Sequence, residues 1–289
     1  MAHLAALLGA DVTLCCALGG EPGAVLRALM AGQRISVRDV EASGPNGTYV
    51  PDRRDGKRRE LARTTAKPLT RHETDELYGI TFGAGLDAAV VLLTGSDPPD
   101  ILDSSVYERL AADLRRNGKT VIADLSGQAL TSALSGGLDL LKISEEELIA
   151  EGRAKSSSEQ DLLAASAELH RAGAQTVLVS RAGEPALAFD GTSGHVLRLT
   201  GPKVEAVEPR GAGDSMFAAL GATLAEGAGM LEAMRLAMAA GCLNATRHGL
   251  GTGTAPEIRQ LSAHVTVEEL ETELDVFSGC GAPFERCRR

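Results

Sequence analysis

The chain has 289 residues, 44% hydrophobic and 24% charged, an ordinary globular balance, and at this length it can bury roughly three quarters of its unfolded surface without disulfide staples. A formal net charge of −10 argues against nucleic acid as a partner, because a phosphate backbone demands a basic face. Any anionic substrate must then be met by a local positive cluster rather than by the global field. The five cysteines (Cys15, Cys16, Cys242, Cys280 and Cys287) are odd in number and form no CxxC pair. Neither a disulfide framework nor a zinc site is indicated, which points to a reducing, cytoplasmic setting. No apolar run reaches membrane-spanning length, and the Met1-Ala2-His3-Leu4 start lacks the layout of a signal peptide. Aromatics are only 3% and Trp is absent, so the core must come from Ala, Val, Leu and Ile, which suits helices packed on a buried parallel sheet.

In chain order, Met1 to Leu8 reads as the end of an amphipathic helix stopped by Gly9. Asp11 to Leu18 reads as a short apolar strand. Residues 44–66 carry a basic cluster, Arg53, Arg54, Lys57, Arg58 and Arg59, around the turn signal Asp55-Gly56, which predicts a hairpin from Tyr49 to Arg63. From residue 80 the pattern becomes regular. Ala88 to Leu93 is an apolar run, a helix follows from about Ser104 to Asn117, and Val121 to Ala123 is a strand with Asp124 at its carboxyl end. Leu138 to Leu141 is the next strand, Ser144-Glu145-Glu146-Glu147 an acidic helix start, Asp161 to Ala172 a helix, and Thr176 to Ser180 a buried strand. Leu187 to Val207 breaks into short strand-like pieces. Helix returns from Asp214 to about Glu226 and from Leu231 to Arg247. Strands alternating with helices predict βαβ units, hence an α/β three-layer sandwich with a mainly parallel central sheet. Functional groups in such sheets gather at the carboxyl ends of the strands.

Gly211-Ala212-Gly213-Asp214 is the most informative stretch. Small residues at a helix start leave backbone N–H groups unobstructed, and the helix dipole adds positive potential there. This makes an anion hole suited to a transferred phosphoryl group, with a carboxylate at its mouth to take a hydroxyl proton. A plain helix start with a stabilising Asp fits the same four residues.

An ordered series of segments resembles the ribokinase-like (PfkB-type) carbohydrate kinase family, its phosphofructokinase and tagatose-6-phosphate kinase branch above all. The series runs Thr94-Gly95-Ser96, Asp124-Leu125-Ser126, Lys142 through Leu148, Val177-Leu178-Val179-Ser180, Pro202-Lys203-Val204, the Gly-Ala-Gly-Asp-Ser block, and the helix from Ala239 to Gly249. The resemblance implies one ribokinase-like domain over residues 1–289 with a small β lid at 44–66, and ATP-dependent phosphorylation of a sugar or sugar phosphate. Asp214 would be the general base, with Gly211, Ala212 and Gly213 as the anion hole. Glu147 would help position Mg2+, and Ser144 would stand in for the Asn of Asn-x-x-Glu. ATP would lie between the turn after Ser180, with Ala182 and Gly183, and the helix carrying Asn244. A homodimer through the lid would follow.

The chain departs from the family pattern at several points. Ile143 and Ser144 replace Pro-Asn, the turn Ser180-Arg181-Ala182-Gly183-Glu184-Pro185 lacks two glycines, and Glu208-Pro209-Arg210 precedes the anion hole. Arg181 could stack on or pair with nucleotide, or be a surface Arg; Arg210 could touch a phosphate or form a structural ion pair. Family members also carry an initial strand and a Gly-rich substrate loop, and the chain is expected to lack them through a shortened start. Arg53 and Arg58 could hold the phosphate of a phosphosugar or belong to a solvated turn, and Asp124 could line the pocket or only form a turn. Fructose 6-phosphate, fructose 1-phosphate and tagatose 6-phosphate are the first candidates, then unphosphorylated ketohexose or ribose. The alternative is a nucleotide-binding module that has lost kinase activity.

Overall fold

Runs of Val, Leu and Ala spaced by glycine-stopped helices build the centre of this molecule. The computed structural model describes residues 1–52, 54 and 59–270. It opens with α1 (Ala2–Leu7), β1 (Val12–Leu18), α2 (Gly20–Met30) and β2 (Ile35–Glu41), then an antiparallel ribbon of β3 (Thr48–Asp52) and β4 (Arg59–Thr64). Next come α3 (Arg71–Asp87), β5 (Val90–Thr94), α4 (Ser105–Arg116), β6 (Thr120–Asp124), α5 (Gly127–Gly136) and β7 (Leu138–Ser144). These are followed by α6 (Glu145–Ala150), α7 (Glu159–Ala172), β8 (Ala174–Ser180), β9 (Ala186–Asp190) and β10 (Val196–Thr200). The remainder is α8 (Ala212–Ala225), α9 (Met230–Ala245), α10 (Ala255–Ser262) and β11 (Thr266–Glu269).

Seven strands form the main sheet in the order β11-β10-β9-β8-β7-β6-β5. The ladders from β5 to β8 are parallel, and those from β8 to β11 are antiparallel. The switch has a simple cause. β5 to β8 are joined through helices, whereas β8, β9 and β10 are joined by tight turns, which can only reverse the chain. Side chains alternate across the sheet as the pleat requires. Val121, Ala123, Leu141, Ile143, Val177 and Val179 pack under α4, α5 and α7, while Ile122, Leu140 and Leu178 pack under α1, α8 and α9. The result is three layers, α/β/α.

β1 and β2 pair in parallel as a separate two-stranded sheet, with no ladder to β5 among the described residues. The strand read at Asp11 to Leu18 therefore lies outside the main sheet, because hydrophobic periodicity marks strands but not their partners. Periodicity and turn signals do not mark α2, β2, α3, α5, α10 or β11. Of these, α3 is anchored at its start. Its Thr70-x-x-Glu73 capping box closes in both directions, with Thr70 N–H donating to Glu73 Oε2 at 2.6 Å. The other oxygen of Glu73 accepts from the backbone N–H of Ser43 at 2.5 Å. Glu73 is 6% exposed, and these backbone donors hold its carboxyl down to about 2.

Candidate active site

The carboxyl ends of β6 and β7 and the start of α8 converge on one cluster. β6 and β7 run in register, which sets Asp124 beside Lys142. The Lys142 Nζ donates to Asp124 Oδ2 at 3.0 Å and Oδ1 at 3.2 Å. Side-chain exposures of 7% for Lys142 and 15% for Asp124 make this a buried ion pair. Burial pushes the Asp124 carboxyl up, Lys142 pulls it back, and the nearby charges of Glu147 and Asp214 raise it again. Three carboxylates thus share the field around one ammonium.

α8 begins at Ala212, two residues before the helix start read from the sequence, so Asp214 lies within its first turn. Gly211 caps the helix in the left-handed region, φ 80°, which a side chain rarely adopts. Gly213 is needed for a different reason: a Cβ there would stand 2.9 Å from the Lys142 Nζ. The ammonium therefore presses against the backbone of the helix start, where the dipole is already positive. The Ala212 N–H bonds to the Pro209 carbonyl at 3.2 Å. Of the three residues expected to line the anion hole, Ala212 is the one whose amide is committed to the incoming turn. The amides of Gly213 and Asp214 have no acceptor among the described residues. The Asp214 side chain is exposed and makes no hydrogen bond or ion pair among them.

Ser144 and Glu147 meet as the capping box of α6. Glu147 Oε2 accepts from the Ser144 backbone N–H at 2.9 Å and from its hydroxyl at 2.6 Å. Ser144 is thus bound to Glu147, whose Oε1 has no hydrogen-bond partner among the described residues. Among the described residues no group of three His, Cys, Asp or Glu side chains could hold a metal ion on its own. A cation here would complete its shell from phosphate oxygens and water, the habit of Mg2+.

On the next strand, Ser180 aligns with Ser144 in the β7–β8 ladder, and its hydroxyl reaches the Ile143 carbonyl at 3.5 Å. Ala182 and Gly183 are exposed at the tip of the following turn, which Glu184 N–H closes onto the Arg181 carbonyl at 2.7 Å. Asn244 is fully buried. Its Nδ2 donates to the Arg210 carbonyl at 2.9 Å and its Oδ1 accepts from Gly251 N–H at 3.0 Å. Both polar ends are engaged by backbone, so Asn244 shapes the loops beside α8. Arg181 is neither stacked in the open nor a surface residue; it is 9% exposed and paired with Glu145.

The β3–β4 ribbon reaches the same helix start. The Arg210 guanidinium lies 5.5 Å from the centre of the Tyr49 ring and that of Arg63 lies 5.9 Å from it, both within cation–π range. Arg63 also reaches Asp97, after β5, at 3.5 Å. Arg53 and Arg58 lie outside the described residues. Lys142 was named in the sequence only as part of a motif. Its signal was a lone Lys in the apolar strand Leu-Asp-Leu-Leu-Lys-Ile-Ser, since a buried lysine requires a partner.

A sequence profile described as pfkB family carbohydrate kinase matches residues 1–258. The chain belongs to that family. It is 32% identical over 244 residues to ATP-dependent 6-phosphofructokinase isozyme 2 of Mycobacterium tuberculosis, covering 83% of this chain and 70% of the relative. It is 29% identical over 247 residues to D-tagatose-1-phosphate kinase of Bacillus licheniformis, covering 84% and 79%. A crystal structure of phosphofructokinase-2 from Escherichia coli superposes with a TM-score of 0.79 at 27% identity, covering 91% of this chain and 84% of that one. Arabidopsis thaliana ribokinase, at 22% identity and a TM-score of 0.71, shares the fold. This pfkB protein is a carbohydrate kinase with the ribokinase-like fold. No helix among its described residues is long and apolar enough to cross a membrane.

Proposed function

We propose that this pfkB kinase transfers the γ-phosphoryl group of ATP to a hydroxyl of a phosphorylated ketohexose, with Asp214 as the general base. The observation that carries the reading is the uncommitted Asp214 carboxylate at a helix start whose Gly213 backbone rests against the Lys142 ammonium. In the step, Asp214 takes the proton of the acceptor hydroxyl. The freed oxygen bonds to the γ-phosphorus, the bond from that phosphorus to the β,γ-bridging oxygen breaks, and ADP leaves with the electron pair. The amides of Gly213 and Asp214, backed by Lys142, stabilise charge on the transferred group. Glu147, through Oε1, and the nucleotide phosphates are the groups that would hold Mg2+, which would neutralise charge on those phosphates.

The acceptor's own phosphate is assigned to Arg63 and Arg210 beside Tyr49, with Arg53 and Arg58 as further candidates from the sequence alone. ATP-dependent 6-phosphofructokinase and D-tagatose-1-phosphate kinase among the relatives support a phosphosugar. The lid is also assigned as the contact of a homodimer. Every residue of β4 is exposed, and Val50 and Leu61 are 55% and 61% exposed, an apolar surface that a second lid would cover.

The test is ADP release from ATP and Mg2+ over a panel of fructose, tagatose and ribose phosphates and the free sugars, with the wild type and Asp214→Ala. Acceptor-dependent turnover abolished by the substitution supports the reading. ATP binding without turnover for any acceptor overturns it in favour of a nucleotide-binding module.

A further inference from the structure

The turn after β8 is held from one side by a single residue. Its tip, Ala182 to Glu184, is exposed, and a Cβ on Gly183 would meet nothing within 4 Å. Arg181 instead folds back under the turn. Its Nε donates to Glu145 Oε2 at 3.1 Å, its Nη2 to the Ser157 carbonyl at 3.0 Å, and its Nη1 to the Pro185 carbonyl at 3.4 Å. Glu159 stands 3.6 Å from Nη1. One guanidinium therefore joins both ends of the turn to the loop before α7 and to the first residue of α6.

That first residue matters because Glu145 directly follows Ser144 and lies two residues before Glu147. Glu159 is in turn gripped by Arg198 of β10, which also reaches Glu268 of β11 at 2.7 Å. The alternating chain Glu145–Arg181–Glu159–Arg198–Glu268 crosses from the cluster at β7 to the far edge of the sheet. The planar fork of Arg suits such a hub, because it offers five donors in fixed directions.

We propose that Arg181 is a positioning residue that locks the turn after β8 to the Ser144–Glu147 end of α6, so that the two walls of the nucleotide site keep a fixed separation. The proposal rests on the nucleotide reading given above, in which the base lies by this turn and the phosphates by α6 and α8. Arg181 touches neither; it acts through the backbone of the turn and through Glu145.

Arg181→Met, Arg181→Lys and Glu145→Gln in the full chain test it, with kinetics measured well below each melting midpoint. Arg181→Met should raise the KM for ATP about tenfold, the scale of lost second-layer support around a site, leaving kcat within about twofold and the acceptor KM unchanged. Arg181→Lys should recover part of the loss, since an ammonium can reach Glu145 but not three acceptors at once. A nucleotide KM that does not move in Arg181→Met overturns the proposal, as does a parallel change in kcat and both KM values that tracks the melting midpoint. If Arg181→Met fails to fold, Glu145→Gln carries the same comparison, with the carbonyl contacts of Arg181 retained. If the wild type shows no acceptor-dependent ADP release, the kinase reading fails. Arg181 is then judged by calorimetric titration with ATP, where about tenfold weaker binding by the variant supports it and equal affinity overturns it.

Discussion

The floor of the site and the ribbon above it both bring positive charge to the start of α8, but they hold it differently. On the floor, Lys142 projects from a strand whose neighbours Leu140, Leu141 and Ile143 are fully buried, and Asp124 pins its ammonium in place. On the ribbon, Arg63 sits on a strand with every residue exposed, and its partners Glu60 and Asp97 are exposed too. A charge built into the sheet is preorganised and costs no rearrangement when a phosphoryl group arrives. A charge on a two-stranded ribbon is marginally held by its own strands and free to adapt to its ligand.

Six substitutions would break or sharpen that contrast. Asp214→Ala should lower kcat about 10³-fold, within the span expected for a lost general base, and leave the melting midpoint unchanged, because the side chain is exposed and unpaired. A matching loss of thermal stability would place Asp214 in the structural floor instead. Lys142→Met should cost about 3 kcal/mol in urea unfolding, because it strands the Asp124 charge in a buried site. Adding Asp124→Asn to that variant should restore part of the loss, since the stranded charge is then gone; no recovery would mean that the pair is not the source.

Glu73→Gln should cost about 2 kcal/mol, the scale of a buried acceptor losing its charge-assisted bonds, as Ser43 and Thr70 lose their ionised partner. The pH dependence has a definite sign. The folded carboxyl is held at about 2 against 4.5 for the free group, so its contribution is whole above about 4.5. It is lost as pH falls toward about 2, and Glu73→Gln should flatten that part of the acid-unfolding curve. Smallest of all, Val50→Ser with Leu61→Ser should change unfolding free energy by less than about 0.5 kcal/mol, as exposed positions do. Light scattering should nonetheless show a shift from dimer to monomer, and an unchanged mass would remove the lid from the subunit contact.

Local signals in the sequence were enough to locate the strands from Val90 to Ser180, the helices α4, α7, α8 and α9, and the carbohydrate kinase family. Val, Leu and Ala runs with glycine stops carry that information within a few residues, and the Gly-Ala-Gly-Asp block carries its own helix start. Tertiary structure decided how the strands of the main sheet pair. It separated β1 and β2 from the main sheet. It enclosed Asn244 among backbone groups, and it drew Arg181 inward to Glu145. It also pressed the Lys142 ammonium against Gly213, 71 residues later in the chain. Those outcomes depend on distances between segments far apart along the chain. Periodicity and turn chemistry act over a single element, whereas a buried charge takes whichever partner the packed layers bring within reach.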